Sequence, residues 1–219
     1  MHGHERLSYL QLPALARVIY DVQAMARTDV QLMLGVQAGD EVSFELLLQK
    51  YRTPVIHFLG RMVRDAALAE DLAQEVFLRV YRARGKYKPS AKFTTWLFRI
   101  ATNLALNSVR DERHRQRDVS IDEPACEEGK GNAAAAIDVP SGESGALERL
   151  LARQRAQQIL RVIHALPEKQ RAAVLLHKYQ GMDYDEIARV LECSESALKS
   201  LLFRAYETLR IELAPFVKS

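Results

Sequence analysis

Phe93, Trp96, Leu97, Ile100, Ala101 and Leu104 recur at i, i+3, i+4, i+7, i+8 and i+11. That spacing gathers one apolar stripe on a helix and would scatter it over both faces of a strand. The same period returns along most of the chain, and no alternating run bounded by turn residues interrupts it, so the expected fold class is all-α. With 219 residues, 48% of them apolar, the chain is long enough to bury a core. No run of 18 uncharged apolar residues exists, which excludes a membrane-spanning helix.

Capping residues divide the pattern into elements. Thr28 can cap a helix to about Ala38, where Gly39 supplies a left-handed stop. A second helix from about Val42 to Val63 carries Phe44, Leu47, Leu48, Tyr51, Val55, Phe58 and Leu59, and Pro54 is expected to bend it. Asp65 can cap a third, with Leu68, Leu72, Val76, Phe77 and Val80 inward and Asp71, Gln74 and Glu75 on the flank. After a turn around Gly85 and Pro89 comes the helix of Phe93, whose far side carries Arg99, Asn103, Leu106 and Arg110.

Periodicity stops at Asp118 and resumes at Ala146. Prolines, glycines and the Ala133–Ala136 run mark residues 118–146 as a flexible linker between two domains, 29–117 and 147–219. Residues 1–28 read as an N-terminal extension or a misassigned start, since Met25 stands just before the first well-patterned helix. Pro13 and Arg17 break their apolar stretch, against a secretory signal. The second domain opens with a helix carrying Leu147, Leu151, Ile159, Leu160 and Ile163. Pro167 then sits at a first-turn position, and the helix after it ends near Gly181.

Charge is sorted as well. From Asp29 to Leu78 eight acids face four bases, whereas from Arg79 to Arg117 eleven bases face two acids, Asp111 and Glu112. The linker is acidic, with Lys130 its only base. The basic stretch interleaves Arg82, Arg84, Lys86, Lys88 and Lys92 with Tyr81, Tyr87, Phe93, Trp96 and Phe98. Such a mixture suits unpaired nucleic acid, because cations follow the backbone while bases stack on rings. A solvated basic face with Trp96 as a core anchor is the plainer alternative.

Near the C-terminus, Asp183 and Glu186 have capping-box spacing at the start of a short helix with Ile187, Ala188 and Leu191 inward. Ser194 can cap the next helix, which buries Leu198, Leu202, Ala205 and Leu209 and presents Ser196, Lys199, Ser200, Phe203 and Arg204 outward. Two short helices joined over Glu192–Ser194 form a helix-turn-helix, whose second helix fits a DNA major groove. A plain α-hairpin is the alternative. His57, His114, His164 and His177 lack ligand spacing, and no catalytic constellation is present. The two cysteines, Cys126 and Cys193, fit neither a disulfide framework nor a metal motif, so no cofactor or metal is expected, and a reducing cytosol is. Cys193 reads as a packing residue.

Three segments, AEDLAQEVFLRVYRA at Ala69–Ala83, FTTWLFRIATNLALNSVR at Phe93–Arg110 and YDEIARVLECSESALKSLLFRAYETLR at Tyr184–Arg210, together resemble a bacterial RNA polymerase sigma factor of the sigma-70 family, extracytoplasmic-function group. The resemblance covers almost everything from Asp29 to Leu213. It implies a first domain (region 2) that grips core RNA polymerase and opens the minus-ten element, and a second (region 4) that reads the minus-thirty-five duplex. Asp71, Gln74 and Glu75 would then face the polymerase clamp helices, an acidic flank meeting a basic partner. Asn103 and Asn107 match positions near a flipped minus-ten base, beside the Lys86–Thr94 loop, with Lys86, Lys92, Arg99 and Arg110 completing that DNA-binding set. Ser196, Lys199, Ser200, Phe203 and Arg204 match the minus-thirty-five helix. An anti-sigma factor is a further implied partner; residence would be cytoplasmic, with the nucleoid or held at the membrane by that partner, and the chain itself would be no enzyme.

Two positions depart from the family pattern. Glu192 stands where such turns usually carry glycine, at a cost of about 1 kcal/mol if the left-handed conformation is kept. Leu201 replaces a frequent basic residue and forfeits a phosphate contact. Two other classes compete: a helix-turn-helix regulator with no polymerase-specificity role, and a DNA recombinase. The recombinase would need a catalytic domain, usually built on a sheet, and no strands are expected.

Overall fold

The computed structural model describes residues 27–119 and 146–217. The N-terminal extension, nearly all of the acidic linker and Cys126 lie outside the described residues, as do the side chains of Leu147 and Arg117. Eight α-helices and no strand are found among the described residues.

The first group contains α1 (Asp29–Gln37), α2 (Glu41–Val63), α3 (Ala66–Arg82), a 3-10 turn (Arg84–Lys86) and α4 (Phe93–Val119). Local chemistry sets each boundary. Thr28 Oγ1 accepts from the Gln31 N–H while the Gln31 side chain accepts from the Thr28 N–H, a full capping box where only the cap was expected. Gly39, at φ +87°, ends α1 as expected. Asp40 and Asp65 cap α2 and α3 by accepting from the N–H groups of Val42 and Leu68. Pro54 lies inside α2, which runs on to Val63 and stops at Arg64, a non-glycine residue at φ +67°.

Val55, Phe58, Leu59, Met62, Val76, Val80, Phe93, Leu97 and Ala101 are buried at the centre of this bundle. Phe58 meets Phe98 edge-on at 5.4 Å, and Tyr51 tilts against Phe93 at 5.4 Å. Each such side chain contributes about 1.5–3 kcal/mol by leaving water. Of the stripe expected on α3, Val76, Phe77 and Val80 are buried whereas Leu68 and Leu72 are half-buried. Leu106, placed by its spacing on the far side of α4, packs partly against the core instead.

That group consists of α5 (Ala146–Ala165), α6 (Glu168–Tyr179), α7 (Tyr184–Val190) and α8 (Glu195–Val217). Pro167 occupies the N-cap of α6, one residue before the first-turn position its sequence context suggests. Of the apolar residues on α5, Ile163 is buried and Leu160 half-buried, while Leu151 and Ile159 remain exposed. Behind the helix-turn-helix, His177 Nδ1 lies 2.7 Å from the Tyr206 hydroxyl and its ring meets Tyr184 edge-on, tying α6, α7 and α8 together. The two groups are not apart: α4 packs against α6 and α7, and α2 against α5 and α6.

Candidate nucleic-acid and polymerase interfaces

The loop after α3 is held by an unexpected residue. Gln37, at the end of α1, donates from Nε2 to the carbonyls of Arg84 at 2.7 Å and Tyr87 at 2.9 Å. The Arg84 carbonyl also accepts from the Tyr87 N–H at 3.2 Å in the 3-10 turn, whereas the Tyr87 carbonyl lies past that turn, so the amide ties the end of α1 to both. Tyr87 is buried against Trp96, ring centres 5.2 Å apart, and Arg84 stacks 4.2 Å over the Tyr81 ring. Lys86 stays exposed on this scaffold.

The stacking expectation needs correction in detail. Tyr87, Phe93 and Phe98 are buried and belong to the core; only Tyr81 and half-buried Trp96 present ring surface. What the structure does bring together is a polar face along α4. Arg99, Asn103, Asn107 and Arg110 are all exposed, at spacings that keep them on one side of the helix. An amide flanked by guanidinium groups can read a base edge, as donor and acceptor, while the cations hold the backbone.

Lys92, the remaining member of the expected set, is engaged elsewhere. Its ammonium lies 3.0 Å from Glu186 Oε1 of the second group, and this carboxylate, aided by its charge, raises the Lys92 pKa. Glu186 also accepts from Thr95 Oγ1 at 3.3 Å and closes the capping box with Asp183. The box was legible in the sequence; the Thr95 contact, 91 residues away, and that of Lys92 were not.

On α3, Asp71 and Gln74 are exposed and Glu75 is half-buried. Glu75 Oε1 accepts from Arg79 Nε at 2.7 Å, which lowers the carboxyl pKa and keeps it charged. Beside them runs a groove of about 270 Å³ between α2 and α3, walled by Phe44, Leu48, Ile56, Phe77 and Leu78, with Glu70 and Gln74 among its polar lining. Arg52 and Glu70 both line it, so the groove offers apolar area to an amphipathic helix while the acidic character comes from Asp71 and Glu75 on the α3 flank beside it. The acidic flank was legible from α3 alone; the groove needs α2 beside it.

The helix-turn-helix forms as expected. Leu191 ends α7, Glu192 adopts φ +51°, and the Cys193 N–H donates back to the Ala188 carbonyl at 3.0 Å. This is the Schellman closure, normally made with glycine. Ser194 Oγ accepts from the Ala197 N–H at 3.2 Å, and Leu191 and Leu198 fill the corner. Cys193 is a free, half-buried thiol packed on the core. Ser196, Lys199, Ser200, Phe203 and Arg204 share one exposed face of α8, with Phe203 69% exposed. Lys199 pairs with Glu195 at 2.7 Å, one turn earlier, an exposed contact that a phosphate can displace. No cluster of metal-ligating side chains occurs among the described residues, and no described helix is long and apolar enough to cross a membrane.

Comparison with known proteins adds the decisive observation. The model for sigma-70 region 2 matches residues 47–115, and that for sigma-70 region 4 matches residues 156–209. The chain is 35% identical to the RNA polymerase sigma-H factor of Pseudomonas aeruginosa over 193 residues, covering 87% of this chain and 96% of that protein. The chain belongs to the sigma-70 family. It is also 31% identical to the extracytoplasmic-function sigma-E factor of Escherichia coli, covering 87% of this chain and 97% of that one, and it falls in the same group. In fold it is similar to CnrH, solved with the cytosolic domain of CnrY, at a TM-score of 0.60 and 20% identity, covering 86% of this chain and 99% of that one. The Bartonella quintana sigma factor RpoE, solved with the anti-sigma factor NepR, gives 0.58 at 21% identity, covering 78% and 96%. Membership of the sigma-70 family removes the recombinase and the polymerase-independent regulator as readings of the whole chain.

Proposed function

We propose that this sigma factor binds core RNA polymerase through α3 and directs initiation by two separate DNA contacts, one on α4 and one on α8. The observation that carries the division of labour is the presence of two exposed polar faces of different character on different helical groups. The α4 face joins an amide pair, Asn103 and Asn107, to Arg99 and Arg110, a set suited to a strand whose bases are unpaired. The α8 face is the outer side of a helix-turn-helix, suited to the major groove of intact duplex.

Asp71, Gln74 and Glu75 steer the basic clamp helices onto α3, and the apolar groove beside them gives that contact its buried area. Lys86, and Lys92 once it leaves Glu186, follow the phosphates of the melted strand. Ser196, Lys199, Ser200 and Arg204 contact the upstream duplex, and Phe203 offers an apolar surface for a thymine methyl. Unstacking a base step costs a few kcal/mol, offset here by pocket and phosphate contacts rather than by bond chemistry. The chain therefore makes no covalent step of its own, needs no cofactor, and works in the cytoplasm with the nucleoid. An anti-sigma factor is the partner expected to hold it inactive, the kind of partner with which the Bartonella protein was solved.

Mixing the purified chain with core polymerase and a library of promoter fragments tests the reading: start-site-selective transcripts are expected, and none above the core enzyme alone refutes it. Asn103→Ala separates the two contacts. It is expected to reduce open-complex formation, read by permanganate footprinting, while gel shifts show unchanged binding of upstream duplex; equal loss of both defeats the α4 assignment.

A further inference from the structure

The groove between α2 and α3 begins beside the point where residues 1–26 join the bundle. Arg27 pairs with Asp40 at 3.2 Å and donates to Ser43 Oγ at 3.3 Å, and the next residue of α2, Phe44, is the first wall of the groove. From there the walls run to Ile56 along α2, and from Leu78 back to Glu70 along α3. Leu78 is 48% exposed. Tyr81, 41% exposed, carries the apolar surface past Phe44, whose ring it meets edge-on at 5.1 Å. Continuous apolar surface of this kind marks a place that another chain segment covers.

The sequence just before Arg27 has the complementary pattern. Leu15, Val18, Ile19, Val22, Met25 and Ala26 recur at i, i+3, i+4, i+7, i+10 and i+11, while Arg17, Tyr20, Asp21 and Ala24 fall on the other side of that period. Twelve residues in helical form rise about 18 Å, as does α2 between Phe44 and Ile56. The charges of Arg17 and Asp21 cancel, as do those of Arg52 and Glu70 in the groove, so apolar area decides the fit.

We propose that residues 15–26 dock in the α2–α3 groove as an amphipathic helix antiparallel to α2, and there compete with core polymerase. Tethered at the groove's edge, the segment has an effective concentration that a separate partner must overcome. With Arg27 fixed beside Ser43, this direction sets Val22 against Leu48 and Val18 against Arg52. Asp71 and Glu75 stay uncovered to draw the polymerase in, and its clamp helices then displace the segment. The competition rests on the clamp contact proposed above; the docked segment does not.

The test uses the full chain with Cys126 and Cys193 replaced by serine. Val18→Cys with Arg52→Cys puts both thiols at the docked face, whereas Tyr20→Cys with Arg52→Cys moves one of them to the opposite side of the segment. Under mild oxidation, gel mobility and intact mass report the intrachain disulfide, which should form about tenfold faster in the first pair. Equal rates would describe a loose tether and overturn the inference. Val18→Asn with Val22→Asn, which adds no charge, should tighten binding to core polymerase about tenfold, because the apparent dissociation constant scales inversely with the uncovered fraction. Tyr20→Asn with Ala24→Asn should leave it unchanged. No gain from the valine pair, while Gln74→Ala with Glu75→Lys still weakens binding, overturns the inference as well. No gain, with Gln74→Ala and Glu75→Lys equally without effect, sinks the clamp contact on α3 and leaves the docked segment to stand on the disulfide rates.

Discussion

Gln37→Met tests whether the loop beside the α4 face must be held in place. Methionine keeps the length and apolar stem of glutamine but removes the amide that bonds the Arg84 and Tyr87 carbonyls at 2.7 and 2.9 Å. Each half-buried neutral bond is worth about 1 kcal/mol net, so the pair contributes about 2 kcal/mol to loop order, or roughly 30-fold in the ordered fraction. If Lys86 must be presented from the ordered loop, affinity for the melted strand falls by up to about 30-fold. Gln37→Glu should be worse, because a carboxylate cannot donate and faces two carbonyls. Fluorescence anisotropy with a labelled single strand, in the presence of core polymerase, reads the first contact; gel shift on upstream duplex reads the second, which should not change. If Gln37→Met binds the strand within about twofold of the parent while Lys86→Ala binds it poorly, loop order is irrelevant and the reasoning fails.

Gln74→Ala with Glu75→Lys removes an amide from the rim of the α3 groove and reverses a charge; association with core polymerase, followed by pull-down, should weaken about tenfold, and unchanged recovery counts against the clamp assignment. Glu192→Gly relieves a left-handed non-glycine residue at φ +51°. It should raise the melting temperature by about 2–4 °C, whereas Glu192→Ala, equally strained, should not; a matching gain in both would assign the effect to charge instead of backbone. The His164 imidazole is pushed down to about 4 by burial, with Arg171 and Arg64 adding repulsion. The unfolded chain therefore binds more protons than the folded one between about pH 6.5 and 4, and stability falls as pH drops through that window. Urea titrations should show a shallower decline in His164→Gln, and an identical slope would remove His164 from the cause.

What the chain discloses in advance follows from the range of each interaction. The Asp183–Glu186 capping box, the Gly39 stop and the helix-turn-helix depend on residues within about one helical turn, so spacing alone reveals them. The outward faces of α4 and α8 followed from the same period. Gln37 did not, because its acceptors lie 47 and 50 residues downstream and a glutamine at a helix end has no local signature. Neither did the apolar groove, which α2 and α3 make jointly, nor Arg171, whose buried guanidinium bonds a carbonyl 109 residues away. Exposed Leu151 and Ile159 show the converse error: apolar spacing marks a helix but does not say that every such residue finds a partner.

Glu186 carries a constraint on how this molecule can change. One of its oxygens starts α7 by accepting from Asp183 N–H, and the other receives Lys92. Replacing the residue to alter how the two helical groups meet would at the same time fray the helix that supports the helix-turn-helix, so its two duties must be inherited together. Variation in the contact between the two groups is therefore expected to accumulate at Thr95 and Arg113, where a substitution leaves the start of α7 intact.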